Sequence, residues 1–127
     1  MPDSRVTIQA ADSALKVSAD RNALKQILIN LIQNSLDAIP PEGKVMIRAF
    51  LENSRPHRLI IEVSDNGGGI PTEDLPRIFE PFYSSKASGS GLGLAICKQL
   101  AEQMDGQLVI TSQENRGTTA RLKLKKV

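Results

Sequence analysis

Asn30, Asn34 and Asp37 recur at i, i+4 and i+7 in a segment whose other positions are mostly Ile, Leu and Ala. That spacing stacks all three along one face of a helix, and the composition suggests a helix buried almost all round. Burying an amide without a partner costs about 1–3 kcal/mol, so two stacked Asn side chains need something to bind. Neighbouring backbone is one candidate. A hard cation such as Mg²⁺ is the other, because it prefers oxygen ligands and completes its shell with water and phosphate.

Two glycine segments offer further chemistry. In Asp65-Asn66-Gly67-Gly68-Gly69 the glycines let the backbone take positive φ and approach a flat ligand, while the carboxylate can accept a hydrogen bond from an exocyclic amine. In Gly89-Ser90-Gly91-Leu92-Gly93-Leu94 a glycine loop opens a helix, whose free N–H groups and positive end favour phosphate. The second segment lacks the Gly-Lys-Ser/Thr of a Walker loop and has Leu94 where a dinucleotide fingerprint wants Gly. Ser84, Ser85 and Lys86, just upstream, add possible phosphate contacts. Between the two segments, Ile78-Phe79-Glu80-Pro81-Phe82-Tyr83 gathers most of the few aromatic residues and reads as a small hydrophobic anchor.

These groups need elements to hold them. Arg5 to Ser18 alternates loosely and predicts two short strands around an Ala-Asp-Ser turn. Asp20 reads as an N-cap for a helix from Asn22 to Ile39, stopped by Pro40-Pro41. Lys44–Leu51 and Arg58–Ser64 alternate at period two and predict an antiparallel hairpin. Glu73 to Phe82 predicts a short helix breaking up at Pro81. Leu92 to Met104 predicts a second amphipathic helix, ended by Asp105-Gly106, and Gln107–Ser112 with Thr118–Lys125 a last hairpin turned at Asn115-Arg116-Gly117. The hairpins make the sheet mixed rather than doubly wound.

With 127 residues and 40% hydrophobic content, the chain is expected to form one domain over residues 1–127. Trp is absent and aromatics make up 3%, so the core must come from aliphatic side chains between layers of helix and sheet, an α/β sandwich. A formal charge of +2, evenly spread, argues against a nucleic-acid footprint, and the basic tail Lys123, Lys125 and Lys126 reads as the solvated face of a last strand. The single cysteine, Cys97, falls in an apolar helical pattern and reads as a buried structural thiol. No segment has the length of a transmembrane span and the start resembles no signal peptide, so a cytoplasmic location without direct membrane contact is expected, with anchoring of a longer parent left open.

In this order and at these separations, the segments resemble the N, G1, F and G2 boxes of the catalytic ATP-binding domain of bacterial two-component sensor histidine kinases, a branch of the gyrase, Hsp90, histidine kinase and MutL superfamily. The N box would be Gln26 to Asn34, and Gly117-Thr118-Thr119 looks like the final glycine box; the resemblance runs from about Asp20 to Leu124. It implies the Bergerat fold, a two-layer α/β sandwich whose mixed, mostly antiparallel sheet carries about three helices on one face and an ATP lid. It implies that Asn34 holds Mg²⁺ and that Asn30 lies beside the triphosphate. Asp65 would take the adenine amino group, Gly67 and Gly69 would shape the pocket, and Thr118 or Thr119 would support Asp65. Gly89, Gly91 and Gly93 would give N–H groups to the phosphates. The same correspondence adds Asp37, Ile70, Phe79, Leu92 and Leu94 to the nucleotide contacts. Many members carry Lys or Arg where this chain has Asp37, and Arg where it has Ser84, so Lys86 is the candidate for the missing cation.

The resemblance also bears on activity. Phosphoryl transfer needs a placed γ-phosphate and charge stabilisation more than a strong base, whereas an ATPase must activate water. The gyrase and Hsp90 branches carry a Glu one helical turn before the Mg²⁺-binding Asn; here that residue is Asn30, which takes no proton at neutral pH. Transfer to a histidine on a separate dimerisation and phosphoacceptor domain, then to a response regulator, is therefore the expected activity, with Asn30 and Lys86 as the catalytic candidates. The isolated chain is expected to be a monomer. A nucleotide-sensing module or an ATPase without histidine transfer is the alternative. His57, the only histidine, lies after Pro56 in a loop and reads as a turn residue rather than an acceptor.

Overall fold

In the computed structural model of the chain, residues 5–10, 20–53, 58–80 and 93–125 are described, without the side chains of residues 9 and 10. The predicted second strand before Ser18, the tip of the first hairpin with His57, and the segment 81–92 lie outside them.

Strands β1 (Val6–Ala10), β2 (Val45–Leu51), β3 (Arg58–Asp65), β4 (Gln107–Gln113) and β5 (Gly117–Lys125) form one sheet in the order β1-β2-β3-β5-β4. Only β1 and β2 run parallel; the other neighbours are antiparallel. Alternation sends Val45, Leu59, Ile61, Val63, Leu108, Ala120, Leu122 and Leu124 to one face, where they pack with Ile27, Leu31, Cys97 and Ala101 of helices α1 (Arg21–Ala38) and α2 (Gly93–Gln103). The core is aliphatic, as a sequence poor in aromatics requires. None of the helices among the described residues is long and apolar enough to cross a membrane.

Local chemistry sets the ends of the helices. Asp20 caps α1, its Oδ1 accepting from Ala23 N at 3.0 Å, the bond a side-chain oxygen at this position is suited to make. α2 ends with Asp105 at φ +57°, Asp105 N bonded to Glu102 O at 3.0 Å and Gly106 N to Ala101 O at 2.8 Å. That pair of bonds is a Schellman cap, with Asp rather than Gly in the left-handed position.

Two expectations change. The short helix predicted at Glu73–Phe82 is instead a 3-10 helix over Thr72–Arg77. Pro76 has no N–H to return to Thr72 and so interrupts α-helical bonding, which favours the tighter form. α1 is also not buried all round: only Ile27, Leu31 and Ser35 are buried, and Ile29 is 55% exposed. A two-layer fold has nothing to cover the outer side of its helices, so apolar composition alone overstated the burial.

Candidate functional site

β3 delivers Asp65 to the edge of the helix-bearing face, and the glycines after it are wedged between two other elements. A Cβ on Gly67 would strike Ala38 O at the end of α1, and one on Gly69, held at φ +73°, would strike Gln113 O at the end of β4. Gly117, φ +137°, closes against Asp65 O. Gly68 meets nothing within 4 Å. The loop is further tied by Asn66 Oδ1, which accepts from Lys44 N at 2.7 Å, and by Gly68 O, which accepts from Asn115 N at 2.7 Å.

Within this frame Asp65 Oδ1 accepts from Gly67 N at 2.9 Å and Thr118 N at 3.3 Å. Two amide donors on one oxygen orient the carboxyl group while leaving Oδ2 as an acceptor. Register separates the two candidate threonines. Thr118 pairs with Asp65 and follows the phase of Ala120 and Leu122 on the helix-bearing face. Thr119 lies on the opposite face, its hydroxyl 3.0 Å from Ser64 Oγ, because successive strand residues point to opposite sides. Only Thr118 joins the carboxylate.

The polar stripe of α1 begins at this loop. Ala38, against Gly67, is followed one turn back by Asn34 and two turns back by Asn30, both half-buried. Eight residues of helix rise about 12 Å, the scale of a nucleotide from base to phosphates. At the far end, Cys97 of α2 reaches Ile27 O with its Sγ at 3.8 Å and hydrogen-bonds the Asn30 side chain. Burial pushes the thiol above its ordinary value of 9.0, and the Asn30 hydrogen bond offsets this in part. Asn30 thus meets Cys97 one turn into α2, whose N-terminal Gly93 has no described atom within 4 Å of where a Cβ would stand.

The remaining candidates are distributed as follows. Ile70 N donates to Ser112 Oγ at 2.7 Å. Phe79 and Leu94 are packed against the core, with Lys98 Nζ 5.1 Å from the Phe79 ring centre. Asp37 is exposed at the loop end of α1 and accepts from Gln33 Nε2 at 2.9 Å. Lys86, Gly89, Gly91 and Leu92 lie outside the described residues. Among the described residues no group of three His, Cys, Asp or Glu side chains could hold a metal, so a cation here would draw its ligands from amide oxygens, water and the phosphates of a bound nucleotide. Asn30 and Asn34 carry such oxygens.

Ser112 is a residue that the sequence reading missed. Besides Ile70 N, its Oγ contacts Gly117 O at 3.0 Å and Thr118 Oγ1 at 2.8 Å. The available signal was its phase: Leu108, Ile110 and Ser112 share one face of β4, and the polar member ends an apolar row.

The fold is that of an ATP-binding domain of the Bergerat type. Residues 19–127 match the model of the histidine kinase-, DNA gyrase B-, and HSP90-like ATPases, and the chain belongs to that family. It is 41% identical to sporulation kinase C of Bacillus subtilis over 80% of its own length and 23% of that protein's. It is 36% identical to the sensor histidine kinase ZraS of Escherichia coli over 87% of its own length and 23% of that protein's. The chain therefore spans about a quarter of these relatives. Among solved structures, the catalytic domain of the histidine kinase ThkA superposes with a TM-score of 0.82 at 34% identity, covering 95% of this chain and 78% of that one. The mycobacterial sensor histidine kinase MprB superposes with a TM-score of 0.83 at 27% identity, covering 97% and 85%.

Proposed function

We propose that this chain binds Mg-ATP and donates the γ-phosphoryl group to a histidine on a separate dimerisation and phosphoacceptor domain of a parent kinase, as the ATP-binding half of a two-component sensor whose phosphoryl group passes on to a response regulator. The observation that carries this reading over hydrolysis is Asn30. It stands one helical turn before Asn34, beside Cys97 of α2, and its amide cannot take a proton from water. Without a base, the productive attack is by a nucleophile that needs none: an imidazole nitrogen bonds to the γ-phosphorus as the bond to the β–γ bridging oxygen breaks and ADP leaves. The protein's part is positioning and charge stabilisation. Asp65 and Thr118 hold the base, Asn34 the metal of the substrate, and the α2 amides with Lys86 the phosphates.

Labelled ATP mixed with this chain and the parent's phosphoacceptor domain should give an acid-labile, alkali-stable phosphohistidine on that domain. Nucleotide binding without transfer would overturn this in favour of a nucleotide-sensing module, and release of free phosphate alone in favour of an ATPase.

A further inference from the structure

The protons around Ser112 can be counted. Its Oγ lies within hydrogen-bonding distance of three groups: Ile70 N at 2.7 Å, Gly117 O at 3.0 Å and Thr118 Oγ1 at 2.8 Å. A hydroxyl has one proton to give and two lone pairs to fill. The Ile70 amide can only donate and the Gly117 carbonyl can only accept, so Ser112 gives its proton to Gly117 and takes one from Ile70. Its last lone pair then accepts the Thr118 proton, and only this arrangement satisfies all three contacts at once. The Thr118 oxygen is left with lone pairs alone. Asp65 beside it has the same polarity, with Oδ1 filled by the Gly67 and Thr118 amides and a carboxylate Oδ2 that only accepts.

On the nucleotide reading of this pocket given above, we propose that Ser112 is a positioning residue for base recognition. By drawing the Thr118 proton away, it makes both polar groups of the pocket acceptors, so the site takes a purine with a 6-amino group and rejects one with a 6-oxo group. An exocyclic amine brings two N–H donors to two acceptors. At that position an oxo group brings lone pairs against lone pairs, leaving half-buried acceptors unmatched, and mismatched polarity of this kind discriminates more strongly than a missing contact.

The test compares ADP with inosine diphosphate, binding to the complete chain with Mg²⁺ by calorimetry. The unaltered chain should prefer ADP by at least about tenfold. In Ser112→Ala the Thr118 hydroxyl regains a proton to present, and the preference should shrink by about tenfold, with inosine diphosphate tightening as ADP weakens. Ser112→Thr keeps a hydroxyl and should restore it. A folded Ser112→Ala chain that keeps the original preference, or loses both nucleotides equally, overturns the proposal. Should that variant fail to fold, Thr118→Val decides: ADP should weaken several-fold and inosine diphosphate not at all, and a parallel loss overturns the proposal. If the unaltered chain binds neither nucleotide, the ATP-pocket reading itself fails and the role of Ser112 with it.

Discussion

At the scale of single residues, the three adjacent glycines of the Asp65 loop have different reasons to be glycine. Gly67 and Gly69 are forced by backbone on the far side of the space a Cβ would fill, and Gly69 also by its left-handed φ; Gly68 faces open space. Gly68→Ala should therefore leave the melting temperature and ADP affinity nearly unchanged, whereas Gly69→Ala should cost more than about 2 kcal/mol of stability and most of the binding. Comparable losses in both variants would contradict this assignment. Cys97 gives a second prediction. Its thiol is neutral when protonated and burial raises its pKa, so the folded state keeps the proton longer than the unfolded one. That contribution is complete below the ordinary value of 9.0 and is lost as pH rises beyond it. Urea titrations should show the native chain losing more stability than Cys97→Val between pH 8 and pH 10, and iodoacetamide should leave Cys97 unmodified at neutral pH. Lys86 is assigned from its place in the sequence, among serines ahead of the α2 glycines. Lys86→Ala should remove a charge-assisted contact worth roughly 1.5–3 kcal/mol and weaken phosphoryl transfer more than ADP binding. Equal loss in both would sink the assignment.

At the scale of elements, the sheet carries its polar anchor on the face away from the helices. Glu62 of the central β3 is 5% exposed and lies between Arg48 of β2 at 3.1 Å and Arg121 of β5 at 2.8 Å, with the Arg48 guanidinium 4.9 Å from the Phe50 ring centre. Register makes these three residues direct cross-strand neighbours, so one carboxylate ties three strands together. Glu62→Ala should lower unfolding stability by about 1–3 kcal/mol, since it strands two guanidiniums that are each still half in water. ADP affinity should stay unchanged, because the groups proposed to bind nucleotide lie on the other face; a loss of affinity in a stably folded variant would show that the two faces are coupled.

At the scale of the whole molecule, the proposed pocket joins parts distant in sequence: the end of β3, the end of α1 and the β4–β5 turn, which the structure brings together, and the start of α2, assigned to the phosphates. A ligand spanning these parts favours the folded state over the unfolded one. Mg-ADP at about a hundred times its dissociation constant should add roughly 2.7 kcal/mol and raise the melting temperature on the order of 10 °C, measurable by dye-monitored or calorimetric melting. No rise with ADP would argue that the parts do not form one nucleotide site.

Much of this was open to a reader of residues alone. Helix α1 with its Asp20 cap, the strand pairs β2–β3 and β4–β5, the turn joining β4 to β5, and the aliphatic core follow from periodicity and from turn chemistry, which act between residues close in the chain. Asp65, the glycines after it and the Asn30/Asn34 pair stood out in the sequence as candidates, since each sits in a pattern that a bound ligand would explain. Tertiary structure decided what depends on neighbours far apart in sequence. It alone showed how little of α1 a two-layer fold buries, and that Pro76 turns the expected helix into a 3-10 turn. It set Thr118 rather than Thr119 beside Asp65, because strand register pairs Asp65 with Thr118, whose N–H bonds the carboxylate. It also brought out Ser112, whose significance lies in three contacts 42, 5 and 6 residues away. Local pattern records what a residue prefers; which groups share a proton or strike a backbone oxygen is decided only when β3, β4 and β5 pair and close the loop between them.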